Sequence, residues 1–201
     1  MQENGSSPRQ LVQILAKTPA FSEKGAERFL EWLWKKSKEE REALLKEWTD
    51  FTAVGACEQC FYFSKDNLCR FCQNPERDKS TVCLTVSPFT IDIIEQNADF
   101  NGTYFALGEE ASGHHNLKKI KIIQTRIEKL KDLITKNSVK ELILATDFTS
   151  PGEATAQLIK EILAPSFPDL RISRLGRGFH SGDMISYGDP LTIKKALEGR
   201  E

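Results

Sequence analysis

The chain has 201 residues, 39% of them hydrophobic and 28% charged, with a formal net charge of −1. That length and apolar content allow one main buried core with smaller appendages and exclude a disordered tail; near-neutral charge means that any nucleic-acid binding must come from local patches. No apolar run reaches the about 18 residues of a membrane-spanning helix, and no charged-then-apolar start is present, so a cytoplasmic chain without a membrane span or signal peptide is expected.

Residues 1–7 carry no apolar periodicity and are expected to fray. From Pro8 the pattern becomes helical, with Leu11, Ile14 and Leu15 on one face. A second helix capped by Ser22 places Ala26, Phe29, Leu30 and Leu33 together, and the two helices can form a hairpin. Ser37-Lys-Glu-Glu40 has the capping-box pattern and opens a third helix with Leu44, Trp48 and Phe51 at i, i+4 and i+7, stopping at Gly55. The tryptophans Trp32, Trp34 and Trp48 read as core or subunit contacts, with base stacking as the alternative.

Next come two CxxC pairs, Cys57-Glu-Gln-Cys60 and Cys69-Arg-Phe-Cys72. Two such knuckles supply the four thiolates that a tetrahedral Zn²⁺ takes at about 2.3 Å from each sulfur. The alternatives are two disulfides or four unrelated core cysteines. Phe61, Tyr62, Phe63 and Phe71 are placed to shield the sulfurs, and so small a segment needs the ion for folding rather than for chemistry. The fifth cysteine, Cys83, lies in the apolar run Thr81–Val86 and reads as a small buried hydrophobe.

Beyond the cysteines, strands and helices alternate. Strands are predicted at Thr81–Val86, Tyr104–Leu107, Glu141–Thr146 and Arg171–Leu175, and helices at Phe89–Asn97, Leu117–Asn137 and Gly152–Leu163. This alternation predicts an α/β fold, a mostly parallel sheet with helices on both faces. Sites in such sheets gather at the carboxyl ends of strands, here Val86-Ser-Pro, Gly108-Glu-Glu and Asp147–Glu153. Leu117–Lys140 holds eight Lys or Arg against two acidic residues, a face for DNA or merely for solvent. His114, His115 and His180 lack metal-ligand spacing. The chain closes with a Gly-rich segment, Gly176–Gly182, a strand near Met184–Tyr187, and a helix capped by Asp189 with Pro190 at its first position.

In this order the parts resemble those of the bacterial RecR recombination mediator family over nearly the whole chain. The resemblance rests on the cysteine spacing, on Ser87-Pro88 followed by Asp92-Ile-Ile-Glu-Gln96, on Glu141–Thr146, Gly152-Glu-Ala-Thr-Ala156, Arg174-Leu175 and Gly199-Arg200. It implies a helix-hairpin-helix region at 1–55, a four-cysteine zinc finger at 56–78, a Toprim domain at 79–175 and a C-terminal Walker-B-like, oligomer-forming segment at 176–201. It further implies a non-enzymatic DNA-binding role in recombinational repair with RecO- and RecF-type partners, one structural Zn²⁺ on Cys57, Cys60, Cys69 and Cys72, and assembly as a dimer or ring-like tetramer.

Departures from the family pattern narrow these implications. The family hairpin reads Leu-Pro-Gly-(Ile/Val)-Gly-Pro-Lys-Ser-Ala-Gln-Arg, where this chain has Thr18-Pro-Ala-Phe-Ser-Glu-Lys-Gly-Ala-Glu-Arg28. Both glycines that let backbone N–H groups approach phosphate are replaced, by Ala20 and Ser22, while Lys24 and Arg28, which match the family's DNA-contacting positions, remain, either to meet phosphate or as the solvated face of a helix. The acidic Toprim site keeps Asp147 and Glu153 but has Val86, Thr149 and Pro151 at other acidic positions, which is too few carboxylates for metal catalysis, so no catalytic residue is expected. The two carboxylates are instead expected to cap the following helix or meet a partner's basic residue. Met184 and Ser186 replace the central acids of the C-terminal motif.

Overall fold

A computed structural model describes residues 7–97, 99–111 and 117–176. The C-terminal strand and helix predicted beyond Gly176, and all three histidines, lie outside these residues. The chain divides between Val54 and Gly55 into two compact units.

The first unit holds α1 (Pro8–Ala16), α2 (Glu23–Trp34) and α3 (Lys38–Thr52). Ser22 Oγ accepts from the Gly25 N–H at 3.1 Å and caps α2. At α3 both halves of the capping box form: Ser37 Oγ accepts from the Glu40 N–H at 3.1 Å, and Glu40 Oε2 accepts from the Ser37 N–H at 2.9 Å. Helix α3 ends at Thr52 rather than Gly55, which enters a short strand instead. Helices α1 and α2 pack through Val12 and Ala26, the two buried side chains among the described residues of this unit, with Phe29, Leu30 and Leu33 partly covered. The expected α1 face is corrected, because Leu11 and Ile14 are exposed and Val12 points inward. The tryptophans are not core either: Trp34 is 78% exposed, and Trp32 and Trp48 are about half exposed.

The second unit opens with a two-stranded antiparallel ribbon, β1 (Gly55–Ala56) and β2 (Phe63–Ser64), followed by the short helix α4 (Arg70–Gln73). Then come β3 (Asp78–Thr85), α5 (Pro88–Asn97), β4 (Gly102–Ala106), α6 (Leu117–Asn137), β5 (Glu141–Ala145), α7 (Ser150–Leu163) and β6 (Arg171–Arg174). The strands form one sheet in the order β4-β3-β5-β6, every neighbouring pair parallel. In register, Cys83 faces Tyr104 on one side and Ile143 on the other.

Period-two alternation sorts the sheet's side chains into two cores. Val82, Leu84, Phe105, Leu142 and Leu144 point to the face covered by Ile123, Ile127 and Leu130 of α6 and Ile159 and Leu163 of α7. Cys83, Tyr104, Ala106 and Ala145 point to the other, covered by Ile91 of α5 and by the four-cysteine segment. One face is thus closed partly by a metal-type knuckle in place of a helix. Leu144→Ala, in a central strand, is expected to lower stability by about 2–5 kcal/mol, because the vacated space cannot fully collapse. Trp34→Ala should stay within about 0.5 kcal/mol of the parent. Urea unfolding of both variants checks the contrast.

Candidate metal knuckle and acidic cleft

The Cys57–Cys60 knuckle follows β1, and Cys69 and Cys72 flank the start and body of α4. Their four Sγ atoms lie within 4.8 Å of one another, with Cys60 and Cys69 at 3.4 Å, and none of the five cysteines forms a disulfide. Sulfurs around a tetrahedral ion with bonds of about 2.3 Å sit about 3.8 Å apart, so this arrangement fits such an ion with little adjustment. The Cys69 N–H also donates to Cys57 Sγ at 3.4 Å, which favours thiolate. Hydrogen bonding with Cys60 holds the Cys57 thiol far below its ordinary range, and the same partnership pushes Cys60 up. One sulfur carries charge at its neighbour's expense, a conflict that a bound cation removes. Among the described residues this is the one group of three or more ligand-type side chains whose donor atoms converge. Cys83 stands apart: burial pushes its thiol up to about 12, so it is neutral at ordinary pH and packs as an apolar group.

The aromatic shell forms as expected and extends into the sheet. Tyr62 meets Phe71 at 4.9 Å between ring centroids, and Phe71 meets Tyr104 at 5.0 Å. Helix α5 fastens this shell with two carboxylates one turn apart. Asp92 accepts from the Tyr62 hydroxyl at 2.5 Å and from Arg70 at 3.0 Å. Glu95 accepts from the Tyr104 hydroxyl at 2.6 Å and pairs with Arg77, whose guanidinium stacks over Phe71 at 4.8 Å.

At the carboxyl ends of the strands, Val86, Ser87, Thr90, Gly108, Glu109, Glu110, Ala145 and Asp147 line a cleft of ≈ 290 Å³. It lies where the connection from β3 leads to one side of the sheet and that from β5 to the other, the usual place for a ligand in such folds. The structure gathers Asp147 with Glu109 and Glu110 around this space. Glu153 is not part of the lining. It lies in the first turn of α7 and accepts from Arg174 Nη1 at 2.9 Å, while Arg174 Nη2 donates to the Thr146 carbonyl at 3.2 Å. The cap of α7 is Thr149, whose Oγ1 accepts from the Gly152 N–H at 3.2 Å. Gly152 is needed because a Cβ there would come within 2.1 Å of the Asp147 carbonyl oxygen. Glu109 and Glu110 were visible in sequence only as the strand-end string Gly108-Glu-Glu; nothing in it marked them as neighbours of Asp147.

In the first unit, Lys24 and Arg28 are both exposed and lie one helical turn apart on α2. On α6, Lys121, Lys129 and Lys136 face solvent, whereas Arg126 turns inward and Lys131 pairs with Glu128 at 2.9 Å. No helix among the described residues is long and apolar enough to cross a membrane.

Residues 80–176 match the model of the Toprim domain. Over 191 residues, 94% of each chain, the sequence is 32% identical to recombination protein RecR of Rippkaea orientalis. It is 33% identical to RecR of Desulfosudis oleivorans over 195 residues, 96% of each chain, and 32% identical to RecR of Chloroflexus aggregans over 194 residues, 94% of this chain and 91% of that one. The chain belongs to the RecR family. The RecR resemblance read from short strings thus holds across almost the full length, and the α/β sheet expected with it is present. Two of those strings have clear packing roles here: Asp92 and Glu95 fasten α5 to the knuckle and sheet, and Arg174 joins β6 to the start of α7.

Cys60→Ser or Cys69→Ser is expected to reduce metal content from one ion per chain and to give an unstable or insoluble protein; elemental analysis and soluble yield test this. Alkaline pH offers a second test. Burial first, and the hydrogen bond to Asp92 second, push the Tyr62 hydroxyl up to about 12 from 10.0. Folding therefore favours the protonated phenol. This contribution is complete below pH 10 and is lost as pH rises through 12. Denaturation midpoints should fall across that window, and less steeply in Tyr62→Phe.

Proposed function

We propose that this chain is a DNA-binding mediator of recombinational repair and not an enzyme, helping to load recombinase onto DNA together with RecO- and RecF-like partners at the bacterial nucleoid. The observation that carries the reading is the near-full-length likeness to recombination proteins RecR. In this reading the four sulfurs hold one structural Zn²⁺. With every position filled by thiolate, the ion has no open place for a substrate or an activated water, so it serves folding.

The proposed division of labour follows the sections of the chain. The helix-hairpin-helix region, residues 1–55, holds DNA through Lys24 and Arg28; the zinc finger, 56–78, closes one face of the Toprim domain, 79–175; and 176–201 joins subunits. Phosphate contact through side chains suits this hairpin, since the Gly25 N–H at the start of α2 is already engaged by Ser22 Oγ. Local cations repeated around a dimer or ring-like tetramer would sum to a useful field although each chain is nearly neutral. The exposed Trp34, Leu45 and Trp48 of the first unit suit such assembly. The cleft bearing Asp147, Glu109 and Glu110 receives a basic group from a protein partner, with Val86 in place of a catalytic carboxylate. Glu153 supports that site through Arg174 instead of binding metal.

Titration of labelled single- and double-stranded DNA across a salt series tests the reading. Lys24→Ala should weaken binding alike on all sequences and lower the salt slope by about one unit per cation removed, more if each ring repeats the loss. A folded Lys24→Ala, Arg28→Ala double variant with unchanged affinity and slope would remove the hairpin from the DNA interface.

A further inference from the structure

The knuckle and the acidic cleft are joined through one residue, Ala106, and one guanidinium. The Ala106 N–H donates to the Cys60 carbonyl at 2.8 Å. The Ala106 carbonyl accepts from Arg126 Nη1 at 3.0 Å. The same guanidinium lies 4.5 Å over the ring of Phe61, the residue after Cys60. Phe61 sits at φ 61, a left-handed conformation that a bulky side chain keeps only when its surroundings hold it there. Its ring also meets that of Phe105, edge-on at 5.5 Å.

Two residues past Ala106 the chain turns at Gly108, at φ +81, and a Cβ at that position would come within 2.0 Å of Arg126 Nη1. Glu109 and Glu110 follow directly and line the cleft. The segment is held to the end of β3 by two backbone bonds, Leu107 N–H to the Thr85 carbonyl at 2.8 Å and Gly108 N–H to the Val86 carbonyl at 2.7 Å. Burial disfavours the charge of Arg126 while Glu109, on the cleft side, supports it.

We propose that Arg126 is a positioning residue that makes the order of the Gly108–Glu110 segment, and with it the shape of the acidic cleft, depend on metal bound at the four-cysteine knuckle. The inference rests on the reading that the sulfurs hold zinc. Loss of the ion releases the Cys57–Cys60 knuckle. The Cys60 carbonyl and Phe61 ring then withdraw from Ala106 and Arg126, and the bonds of Leu107 and Gly108 open more often. Arginine is required because only a planar fork can donate to Ala106 and stack on Phe61 at once. The coupling runs both ways, so disturbing the cleft end must loosen the metal.

The test combines zinc transfer to a chromogenic chelator with amide hydrogen exchange over residues 106–110, on zinc-loaded and stripped wild type, Arg126→Lys, Arg126→Gln and Gly108→Ala. Stripping the wild type should speed exchange at Leu107 and Gly108 on the order of ten-fold. Both Arg126 variants should show that faster exchange with zinc still bound, and release zinc on the order of ten-fold faster, the scale on which partners outside the ligand set tune a metal site. Gly108→Ala, remote from the sulfurs in sequence, should also speed zinc release. The coupling is overturned if zinc-loaded Arg126 variants match wild type in both measurements, if stripping leaves Leu107 and Gly108 protected, or if Gly108→Ala loosens its segment without changing zinc release. A wild type that takes up no zinc overturns the metal reading itself, and the coupling with it.

Discussion

Four thiolates drawn within 4.8 Å of one another would repel strongly without a cation among them, so folding of the knuckle would be coupled to binding of the ion that these sulfurs could hold. In this protein such a coupling would reach beyond a small finger. Cys57 and Cys60 are fully buried against Cys83, Tyr104 and Ala106, and the knuckle closes one face of the parallel sheet. A doubly wound sheet must cover both apolar faces. Here α6 and α7 cover one, while α5 covers the other only together with the cysteine segment.

Helix α5 shows how metal site and cleft are built on a shared frame. Its first turn supplies Thr90 to the cleft, and Asp92 and Glu95 further along hold Tyr62, Arg70, Tyr104 and Arg77. These charges are partly buried, so their value lies in geometry: each carboxylate finds both a phenol and a guanidinium, and neither is left without a partner. A shift of α5 would move the wall of the cleft and the shell of the knuckle together.

The first unit obeys a different balance. Helices α2 and α3 are capped by serine side chains, yet among the described residues only Val12 and Ala26 are buried and α3 buries no side chain. Local hydrogen bonds therefore carry much of its helix definition. On α3, Leu45, Trp48 and Phe51 are each more than half exposed. Lys24 and Arg28 stand exposed on α2, where the Gly25 N–H of the first turn is already engaged by Ser22 Oγ.

Much of this molecule follows from sequence alone, because periodicity, caps and cysteine spacing are local properties. The span Leu117–Asn137 is read to the residue, Ser22 and Ser37 cap as expected, and the paired CxxC spacing brings four sulfurs together. Strand order and the partners of polar groups are not local. Which carboxylates meet depends on β4 lying beside β3 with β5 on the other side, and this sets Glu109 and Glu110 near Asp147 while Arg174 of β6 draws Glu153 away. Periodicity also misjudged the inward face of α1, and of the two readings of the tryptophans it left open, core or subunit contact, the exposure of all three removes the first. The basic run of α6 held one more residue that only tertiary structure could sort. Arg126 looks like its neighbouring lysines in sequence, but it turns inward because the Ala106 carbonyl at the end of β4 and the face of Phe61 meet at the spot its fork can reach.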